Sequence, residues 1–404
     1  MFKLPSQVAA LLSELNASGY EAYIVGGCVR DLLLCKIPND FDITTSATPE
    51  QIMEVFKDQK LLTVGIKHGT VTVILNKTPY EITTYRIDES YSDNRHPDKV
   101  VFTENLTHDL SRRDFTINAM AYHPQSKIVD AFGGRKDLAA HTIKTVGDPD
   151  IRFNEDALRI LRALRFSSTL GFTIEKKTAE SILNNHHLLS NISKERITSE
   201  LKLLICGKNA GYVFERFSEV FSTIMPPYDP SDNQKAFIKR VFDTCSTDVC
   251  IRLATIFDFK KDIIEAFKYL SLDSNTSKKS IALVENKRRK IYATKPDIKQ
   301  ALRELGAEFF LALLEIQKPI SLYTQAEYND LYRLTKLILN NNECYNVGML
   351  AINGDDLIEL GVPKGLAVGK RLEFILDAVI HELVPNDKIA IIRYLKEIHY
   401  PLNL

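Results

Sequence analysis

The spacing of hydrophobic residues changes once along this chain, close to residue 147. Before that point, short apolar runs with β-branched residues predict strands, separated by turns and a few short helices. After about residue 154 the apolar positions recur at helical spacing for the rest of the chain. Gly147, Asp148 and Pro149 mark the change with residues that favour turns. The pattern therefore predicts an α+β chain, with a mixed β-sheet in residues 1–147 and an all-helical remainder.

The individual elements follow from these two periods. A helix over residues 49–56 has Thr48 placed to cap it and Pro49 in its first turn. Residues 86–98 are polar and predict a loop. Strands are predicted at residues 23–25, 41–43, 70–75 and 80–85. Further helices are predicted at residues 5–17, 154–170, 175–189, 193–206, 230–256, 259–271, 297–317, 325–340 and 366–383.

Composition narrows the class of protein only a little. The 404 residues include 52 Lys and Arg and 52 Asp and Glu, so any basic surface for nucleic acid must be segregated from acidic surface elsewhere. The six cysteines are scattered and complete no zinc pattern, which favours free thiols in a reducing compartment. The N-terminus lacks the pattern of a signal peptide, and no apolar run is long enough to predict a membrane span. We therefore expect a cytoplasmic protein without a membrane partner.

Two carboxylates separated by one residue, Asp40 and Asp42, are the most informative chemical feature of the sequence. On a strand they point to the same side, because side chains alternate faces with period two. Two like charges that close repel each other unless a cation lies between them, and oxygen ligands suit Mg²⁺. An isolated motif of this kind is usually a solvated turn. Here, however, a phosphate-binding pattern precedes it.

That pattern is an apolar strand at residues 23–25, then Gly26 and Gly27, then the start of a helix. A strand, a glycine turn and a helix N-terminus in this order offer free N–H groups to a phosphate. Arg30, one turn into the helix, is placed to reach the same phosphates. A phosphate cradle close to metal-binding carboxylates predicts nucleotide chemistry.

Glu81 is a candidate third carboxylate, on the predicted strand at residues 80–85. If that strand pairs beside residues 41–43, Glu81 can join Asp40 and Asp42. Three carboxylates could hold two Mg²⁺ about 3.5–4 Å apart, the separation used for in-line phosphoryl displacement. The alternative is a lone carboxylate at a sheet edge.

Arg112, Arg113 and Asp114 form a second polar cluster, directly before the apolar and small residues 117–121. Adjacent charges of this kind are often a surface ion pair of little consequence. Anchored against a core, the cluster instead predicts that Arg113 reaches the nucleotide. Asp114 would then orient a sugar or a neighbouring arginine.

A third group, Asp156, Arg159, Arg162 and Arg165, recurs every three residues in a predicted helix with Asn154 as its cap. A solvated basic face is the ordinary explanation of such a stripe. The functional alternative is base recognition, because a carboxylate beside a guanidinium presents an acceptor next to donors. Cytosine and adenine match that pattern, whereas guanine and uracil present its reverse, at a cost of about 1–3 kcal/mol per buried mismatch. Asp156 and Arg159 therefore predict selection of CTP and ATP, with the other arginines stacking on the base or contacting phosphate.

Together these motifs resemble the class II tRNA nucleotidyltransferases, the CCA-adding enzymes of the polymerase-β-like superfamily. The order of the motifs is the same, and residues 350–365 and the total length are similar to the shorter, Bacillus-type subgroup. The motifs that carry the resemblance lie at residues 26–31, 40–42, 112–119, 130–138 and 155–159.

The resemblance implies an architecture and an activity. A polymerase-β-like head would occupy residues 1–147, a neck 148–206, a helical body 207–300 and a helical tail 301–404, with the helical part gripping the acceptor and T-arm region of tRNA. The activity would be template-independent addition and repair of the 3′-terminal CCA of tRNA from CTP and ATP, dependent on Mg²⁺, with release of pyrophosphate. A homodimer is a further expectation, because helix-rich C-terminal regions of this kind often pair.

The resemblance also implies roles for individual residues. Asp40 and Asp42 would ligate Mg²⁺, with Glu81 as the third catalytic carboxylate. Contacts with the nucleotide would come from Gly27, Arg30, Arg113, Asp156, Arg159, Arg162 and Arg165.

Several alternatives share part of this evidence. A bacterial poly(A) polymerase usually carries a basic tail, and no basic run appears at residues 398–404. CC-adding relatives typically have a shortened loop, and the length of residues 86–98 favours competence for the terminal A, although an A-adding enzyme would keep this loop too. A small-molecule nucleotidyltransferase is disfavoured by the long helical part. The intact Asp40 and Asp42 argue against a non-catalytic RNA-binding module.

Overall fold

The computed structural model of the protein describes residues 2–89 and 99–398. The chain forms two compact units. The N-terminal unit comprises Met1–Asp243 and Ile264–Leu272, and the C-terminal unit comprises Thr244–Ile263 and Asp273–Leu404. The division into head, neck, body and tail is finer than this and stays a prediction. No helix in the described part of the chain is both long and apolar enough to span a bilayer.

Seven strands of the N-terminal unit form one mixed sheet. The strands are β1 Ala22–Val25, β2 Ile43–Thr45, β3 Lys60–Leu62, β4 Thr70–Leu75, β5 Thr78–Thr84, β6 Arg86–Glu89, β7 Lys99–Phe102, β8 Ala121–His123, β9 Lys127–Val129, β10 Thr142–Ile143 and β11 Thr173–Ile174. Their order in the mixed sheet is β3-β4-β5-β2-β1-β8-β9. Strands β2 and β5 run parallel with Ile43 opposite Ile82, whereas β1 pairs antiparallel with both β2 and β8.

Strand β5, which carries Glu81, pairs beside β2, as the predicted role of Glu81 requires. Because Ile43 lies opposite Ile82, Asp42 and Glu81 are neighbours at the same level of adjacent strands. Strand β2 begins at Ile43, two residues later than predicted. The ladder nevertheless continues through Asp42, whose carbonyl accepts a hydrogen bond from the Val25 N–H at 3.0 Å.

The prediction of a loop over residues 86–98 is wrong at its start. Residues 86–89 form β6, which pairs antiparallel with β7. The polar composition of this segment hid the strand, because its stability comes from pairing rather than from an apolar face. Residues 90–98, including Tyr91, Asp93 and the run from Arg95 to Pro97, lie outside the described residues.

Most predicted helices are present, and Thr48 caps the helix Pro49–Val55 in a reciprocal capping box with Gln51. The helices are α1 Ser6–Ala17, α2 Gly27–Leu33, α3 Pro49–Val55, α4 Leu106–Ser111, α5 Gly134–Ala139, α6 Pro149–Glu155, α7 Leu158–Leu170, α8 Lys176–Asn185, α9 Lys194–Ile205, α10 Ala210–Arg216, α11 Ser218–Ile224, α12 Asp232–Thr244, α13 Val249–Ile256, α14 Lys260–Phe267, α15 Ser274–Asn286, α16 Lys295–Leu305, α17 Ala307–Gln317, α18 Gln325–Asn340, α19 Gly354–Glu359, α20 Leu366–Ile380 and α21 Lys388–Glu397.

Three predicted helices are each interrupted. The stretch 230–256 is divided where Asp248 caps α13, and the stretch 297–317 is divided at Gly306, whose φ of +77° no helix accommodates. The helix predicted to start at Asn154 is instead two helices, α6 and α7, which meet at Asp156. Asn154 therefore lies inside α6 and is not a cap. The last interruption matters for the site described below.

In the described residues of the C-terminal unit, the helices are joined by turns and loops, and no strand is present. Ile298, Leu313 and Leu331 are fully buried between α16, α17 and α18. A second apolar cluster spans residues 344–395, with Leu357 and Ile375 at its centre. The period of 3.6 residues that marked this half of the sequence is thus used to bury one stripe of each helix.

Candidate active site

Nine of the ten predicted site residues line one pocket of about 410 Å³ in the N-terminal unit. Helix α7, the start of α2, the residues before β2 and the segment after α4 form its walls. Glu81 is the predicted residue that does not line it. The lining residues are Gly26, Gly27, Arg30, Asp40, Asp42, Arg112, Arg113, Asp114, Asn118, Asp156, Arg159, Arg162, Arg165 and Phe166.

Asp40 and Asp42 form the acidic end of the pocket. Both residues are exposed, and neither makes an ion pair within the described part of the chain. Partial desolvation of its carboxyl group raises the pKa of Asp42, the charges of Asp40 and Glu81 raise it further, and Arg113 opposes them. The two aspartates therefore repel each other across a space that opens into the pocket.

The chemistry of this pair fits a divalent cation. Hard cations prefer carboxylate oxygens, and Mg²⁺ typically takes one or two of them together with water and substrate phosphates. Among residues 2–89 and 99–398, no three His, Cys, Asp or Glu side chains converge closely enough to bind a metal without such help. Asp40 and Asp42 would therefore supply only part of the coordination of a cation, and water or substrate phosphates would supply the rest.

Gly26 and Arg30 form the wall beside the aspartates. Gly26 has a φ of +81°, which favours glycine, and a Cβ atom there would lie 3.2 Å from Arg113 Nη1 and crowd that guanidinium. Arg30 donates from Nη1 to Asn118 Oδ1 at 2.8 Å and pairs with Asp31 at 2.8 Å. The strand, glycine turn and short helix predicted at this point are present, with the arginine held in one orientation.

Arg113 is held by the buried carboxylate of Asp109. Asp109 lies within α4, is fully buried, and accepts from Arg113 Nη2 at 3.2 Å. The same carboxylate accepts from Arg112 Nε and Nη2, at 3.0 and 2.7 Å. Burial alone would raise the pKa of Asp109, but the two guanidinium groups hold it below its ordinary value. It is therefore charged at neutral pH.

Asp114 orients a neighbouring arginine, one of the two roles that the sequence left open for it. Its Oδ2 accepts from Arg162 Nε and Nη2 at 2.8 and 2.6 Å, and its Oδ1 accepts from Asn118 Nδ2 at 3.1 Å. Burial would raise the pKa of Asp114, but Arg162 and Asn118 hold it below its ordinary value of 3.8. The ion pair fixes Arg162 on the wall of the pocket.

Asp156 and Arg159 line the pocket together, although they do not pair with each other. Asp156 ends α6 and accepts from the Leu158 N–H at 3.1 Å, which caps α7, and from Arg196 Nη2 at 2.9 Å. Arg159 donates to Glu155 Oε2 at 2.6 Å and to the Arg112 carbonyl at 3.0 Å. Each side chain is thus held from behind by its own partner.

Three guanidinium groups pack around the aromatic ring of Phe166. The Arg165, Arg30 and Arg162 carbons lie 4.3, 5.1 and 5.5 Å from the ring centroid. Arg165 also pairs with Glu200 of α9 at 2.9 Å. Cations favour the negative face of an aromatic ring, so Phe166 allows like charges to share a small volume.

Comparison with known proteins identifies the family. The Poly A polymerase head domain model matches residues 22–144, the model described as "Probable RNA and SrmB- binding site of polymerase A" matches residues 171–220, and a tRNA nucleotidyltransferase domain 2 model matches residues 246–395. A CCA-adding enzyme of Lactobacillus delbrueckii subsp. bulgaricus is 37% identical over 403 residues, covering 96% of this chain and 97% of the relative. The chain belongs to the CCA-adding enzymes.

Further relatives agree with this family. The CCA-adding enzyme of Geobacillus sp. (strain WCH70) is 36% identical, and 97% of each chain is covered. The crystal structure of the Bacillus stearothermophilus CCA-adding enzyme in complex with CTP is 31% identical, with a TM-score of 0.75 over 98% of each chain. A Thermotoga maritima CCA-adding enzyme complexed with tRNA has a TM-score of 0.71, over 98% of this chain and 96% of that one; at 23% identity this likeness shows the fold alone.

Several residues that build the site of this CCA-adding enzyme were not singled out from its sequence. Asp109, Arg196 and Glu200 lie behind the pocket, and Asn118 and Phe166 line it. A signal for α4 was present in the sequence, since Asn105 precedes Leu106 and Leu110 at helical spacing and caps the helix. Arg196 and Glu200 are four residues apart on one helix face, but nothing local shows what that face contacts.

Proposed function

We propose that this chain adds and repairs the 3′-terminal CCA of tRNA from CTP and ATP, without a nucleic-acid template and with release of pyrophosphate. One observation carries the proposal. A carboxylate pair suited to a divalent cation and the base-selecting candidates Asp156 and Arg159 line the same pocket. The relatives point the same way, since they are CCA-adding enzymes and the Bacillus stearothermophilus enzyme was solved in complex with CTP. A tRNA substrate supports a cytoplasmic location for the enzyme.

Asp40 and Asp42 would hold the divalent cation, which we propose is Mg²⁺. When bound, the metal supplies Lewis acidity for the attacking 3′ hydroxyl and neutralises charge on the triphosphate. Desolvation raises the pKa of Asp42, and the charge of Asp40 raises it further; a cation would relieve that repulsion, which supports this assignment. Glu81 is the proposed third carboxylate. Its place beside Asp42 at the same level of the sheet supports that role.

The cationic wall would bind and orient the triphosphate. Arg30 and Arg113 lie against Gly26 and Gly27, close to the acidic pair. Their guanidinium groups carry several fixed donors that match phosphate oxygens. Arg162 and Arg165 stand farther along α7, where they would contact the sugar, the base or the remaining phosphate oxygens.

Asp156 and Arg159 would select the base. The carboxylate of Asp156 has an acceptor site free beyond its bonds to Leu158 and Arg196, since each oxygen carries two lone pairs. Cytosine and adenine each offer an amino donor beside a ring-nitrogen acceptor. A single carboxylate and guanidinium can therefore accept both bases and reject guanine and uracil, whose pattern is reversed.

The rest of the chain would bind the tRNA. We propose that residues 1–147 act as the catalytic head, 148–206 as the neck that reads the base, 207–300 as the body, and 301–404 as a tail for tRNA. The match of residues 246–395 to a tRNA nucleotidyltransferase domain supports a role of the C-terminal unit in the same reaction.

The direct test uses purified protein, Mg²⁺ and tRNA transcripts that end before the first C, after one C and after two C residues. Each nucleotide is supplied alone and in combination, and product length is read on a sequencing gel. We expect growth to full CCA with CTP and ATP together, and no growth with GTP or UTP. Addition of A alone would instead identify an A-adding enzyme, and an open-ended A tail would identify a poly(A) polymerase.

A further inference from the structure

We propose that Asp109 is a positioning residue of the nucleotide pocket, which sets Arg113 at the acidic end and, through Arg112, Arg159 at the base end. The proposal rests on the function proposed above and names a residue behind that site. Asp109 does not line the pocket. It acts on bound nucleotide only through the arginines that it holds.

The buried carboxylate of Asp109 has an unusually full set of donors. Oδ1 accepts from Arg112 Nε and Nη2, at 3.0 and 2.7 Å, and from the Arg86 N–H at 3.4 Å. Oδ2 accepts from Arg113 Nη2 at 3.2 Å and from Thr44 Oγ1 at 3.3 Å. The residue has no exposed surface. Two arginines and two strands are therefore tied to one charged group.

One arm of this network reaches the acidic end of the pocket. Thr44 lies in β2, two residues after Asp42, and Arg113 packs with its Nη1 against Gly26. Arg113 is also close enough for its charge to act on Asp42. Arg113 can contact a triphosphate near Asp42 only while its guanidinium keeps this position, and Asp109 is the carboxylate that holds it.

The other arm reaches the base end. Arg112 pairs with Asp109 through two hydrogen bonds and more loosely with Asp88, at 3.6 Å, and the Arg112 carbonyl accepts from Arg159 Nη2 at 3.0 Å. Arg159 also contacts the Arg152 carbonyl, at 3.3 Å. Two backbone carbonyls and Glu155 thus aim Arg159, and one of those carbonyls belongs to an arginine that Asp109 anchors. Asp109 is the common support of the two ends.

Replacing Asp109 by asparagine separates the effect of its charge from the effect of its shape. Asparagine has nearly the same volume as aspartate, but its amide offers one oxygen and one NH₂ donor. Because donors face both oxygens of Asp109, an amide must point a donor at a guanidinium whichever way it is turned. Bonds between charged groups are about twice as strong as neutral ones, so both arginines should lose their fixed positions.

The test compares Asp109→Asn with the parent enzyme in steady-state addition of C and of A to truncated tRNA. We expect kcat/KM to fall about 10- to 100-fold for both nucleotides, the range for losing a charge-assisted hydrogen bond. Thermal unfolding is measured on the same samples. The matched control is Asp150→Asn, whose carboxylate in α6 is held by the neutral donors Ser181 and Asn185 and lies outside the pocket. The control should keep the activity of the parent.

A double-mutant cycle with Arg113→Lys separates positioning from general damage. If Asp109 acts through Arg113, the kcat/KM of the double variant should lie within about threefold of the less active single variant. The second substitution then alters a side chain that the first has already displaced. Should Asp109→Asn not fold, Asp109→Glu replaces it in the cycle, since it keeps the charge but shifts both guanidinium groups. Losses that multiply fully, or unchanged kcat/KM in Asp109→Asn, would overturn the proposal. If the parent enzyme adds neither C nor A, the proposed function itself has failed.

Discussion

Replacing Asp156 by asparagine should relax the choice of base without removing the catalytic carboxylates. Asp156 accepts from Leu158 N–H with one oxygen and from Arg196 Nη2 with the other, at 3.1 and 2.9 Å. An amide satisfies only one of these donors, so the variant should lose about 1–3 kcal/mol of stability. The amide also brings a donor to the base edge, where uracil and guanine carry carbonyl oxygens.

The same free energy sets the expected change in specificity. Removing a mismatch of about 1–3 kcal/mol corresponds to roughly a 5- to 150-fold change in relative kcat/KM. The assay measures kcat/KM for CTP and UTP on tRNA that ends before the first C, and for ATP and GTP on tRNA that ends in CC. We expect the CTP:UTP and ATP:GTP ratios of kcat/KM to decrease by a factor in that range. The decrease should come from slower addition of the correct nucleotide and measurable addition of the wrong one.

Asp150→Asn is the control, because it makes the same chemical change within α6, the helix that Asp156 ends, and lies away from the pocket. Its nucleotide ratios should equal those of the parent enzyme. If Asp156→Asn adds C and A with unchanged selectivity and efficiency, the idea that this carboxylate selects the base by its hydrogen-bond pattern is refuted. A variant that loses stability but keeps both ratios would assign Asp156 to capping α7 alone.

The remaining predictions concern the carboxylates at the acidic end, the pair formed by Asp114 and Arg162, and the ring of Phe166. Asp42→Asn should remove detectable nucleotide addition while CTP binding without metal persists, and Glu81→Gln should lower kcat less; an unchanged kcat in Glu81→Gln would make it a lone strand carboxylate. Because Arg162 holds the pKa of Asp114 below 3.8, this pair stabilises the fold above that pH, and the stabilisation is lost as pH falls through the lowered pKa. Urea unfolding near neutral pH and near pH 3 should therefore show a smaller acid-induced loss in Asp114→Asn than in the parent. Phe166→Leu should raise the KM for both nucleotides about three- to tenfold, because the cation–π contacts with its arginines are lost, and nucleotide titrations would check this.

Local patterns in the sequence were sufficient where a short stretch of chain carries its own reason for its structure. The strand at Thr70–Leu75 and the helix at Gln325–Asn340 have the predicted bounds, because alternation and helical spacing are strong there. The glycine turn at Gly26 likewise follows from residues next to one another. The pairing of β2 with β5 could only be assumed from the sequence, because no local pattern specifies which strands are neighbours.

Features that depend on distant partners were missed or misplaced. The interruption at Asp156 arises because its carboxylate caps α7 while Arg196, forty residues later in the chain, holds the other oxygen. The apolar spacing runs through this break without a change, so periodicity predicted one helix. Asp109 was missed for a related reason, since its donors come from three separate segments that converge only in the fold.

The pocket is lined by six arginines and four aspartates in a chain whose total charge is zero. Overall neutrality is therefore an average over local fields of opposite sign, and an approaching polyanion experiences the field near it rather than the sum. Such fields extend about 8–10 Å at ordinary ionic strength before salt screens them. Nucleotide affinity in this enzyme should consequently weaken with added salt as it does for a basic protein, and the isoelectric point of about 7.1 is a poor guide to its behaviour on ion-exchange resins.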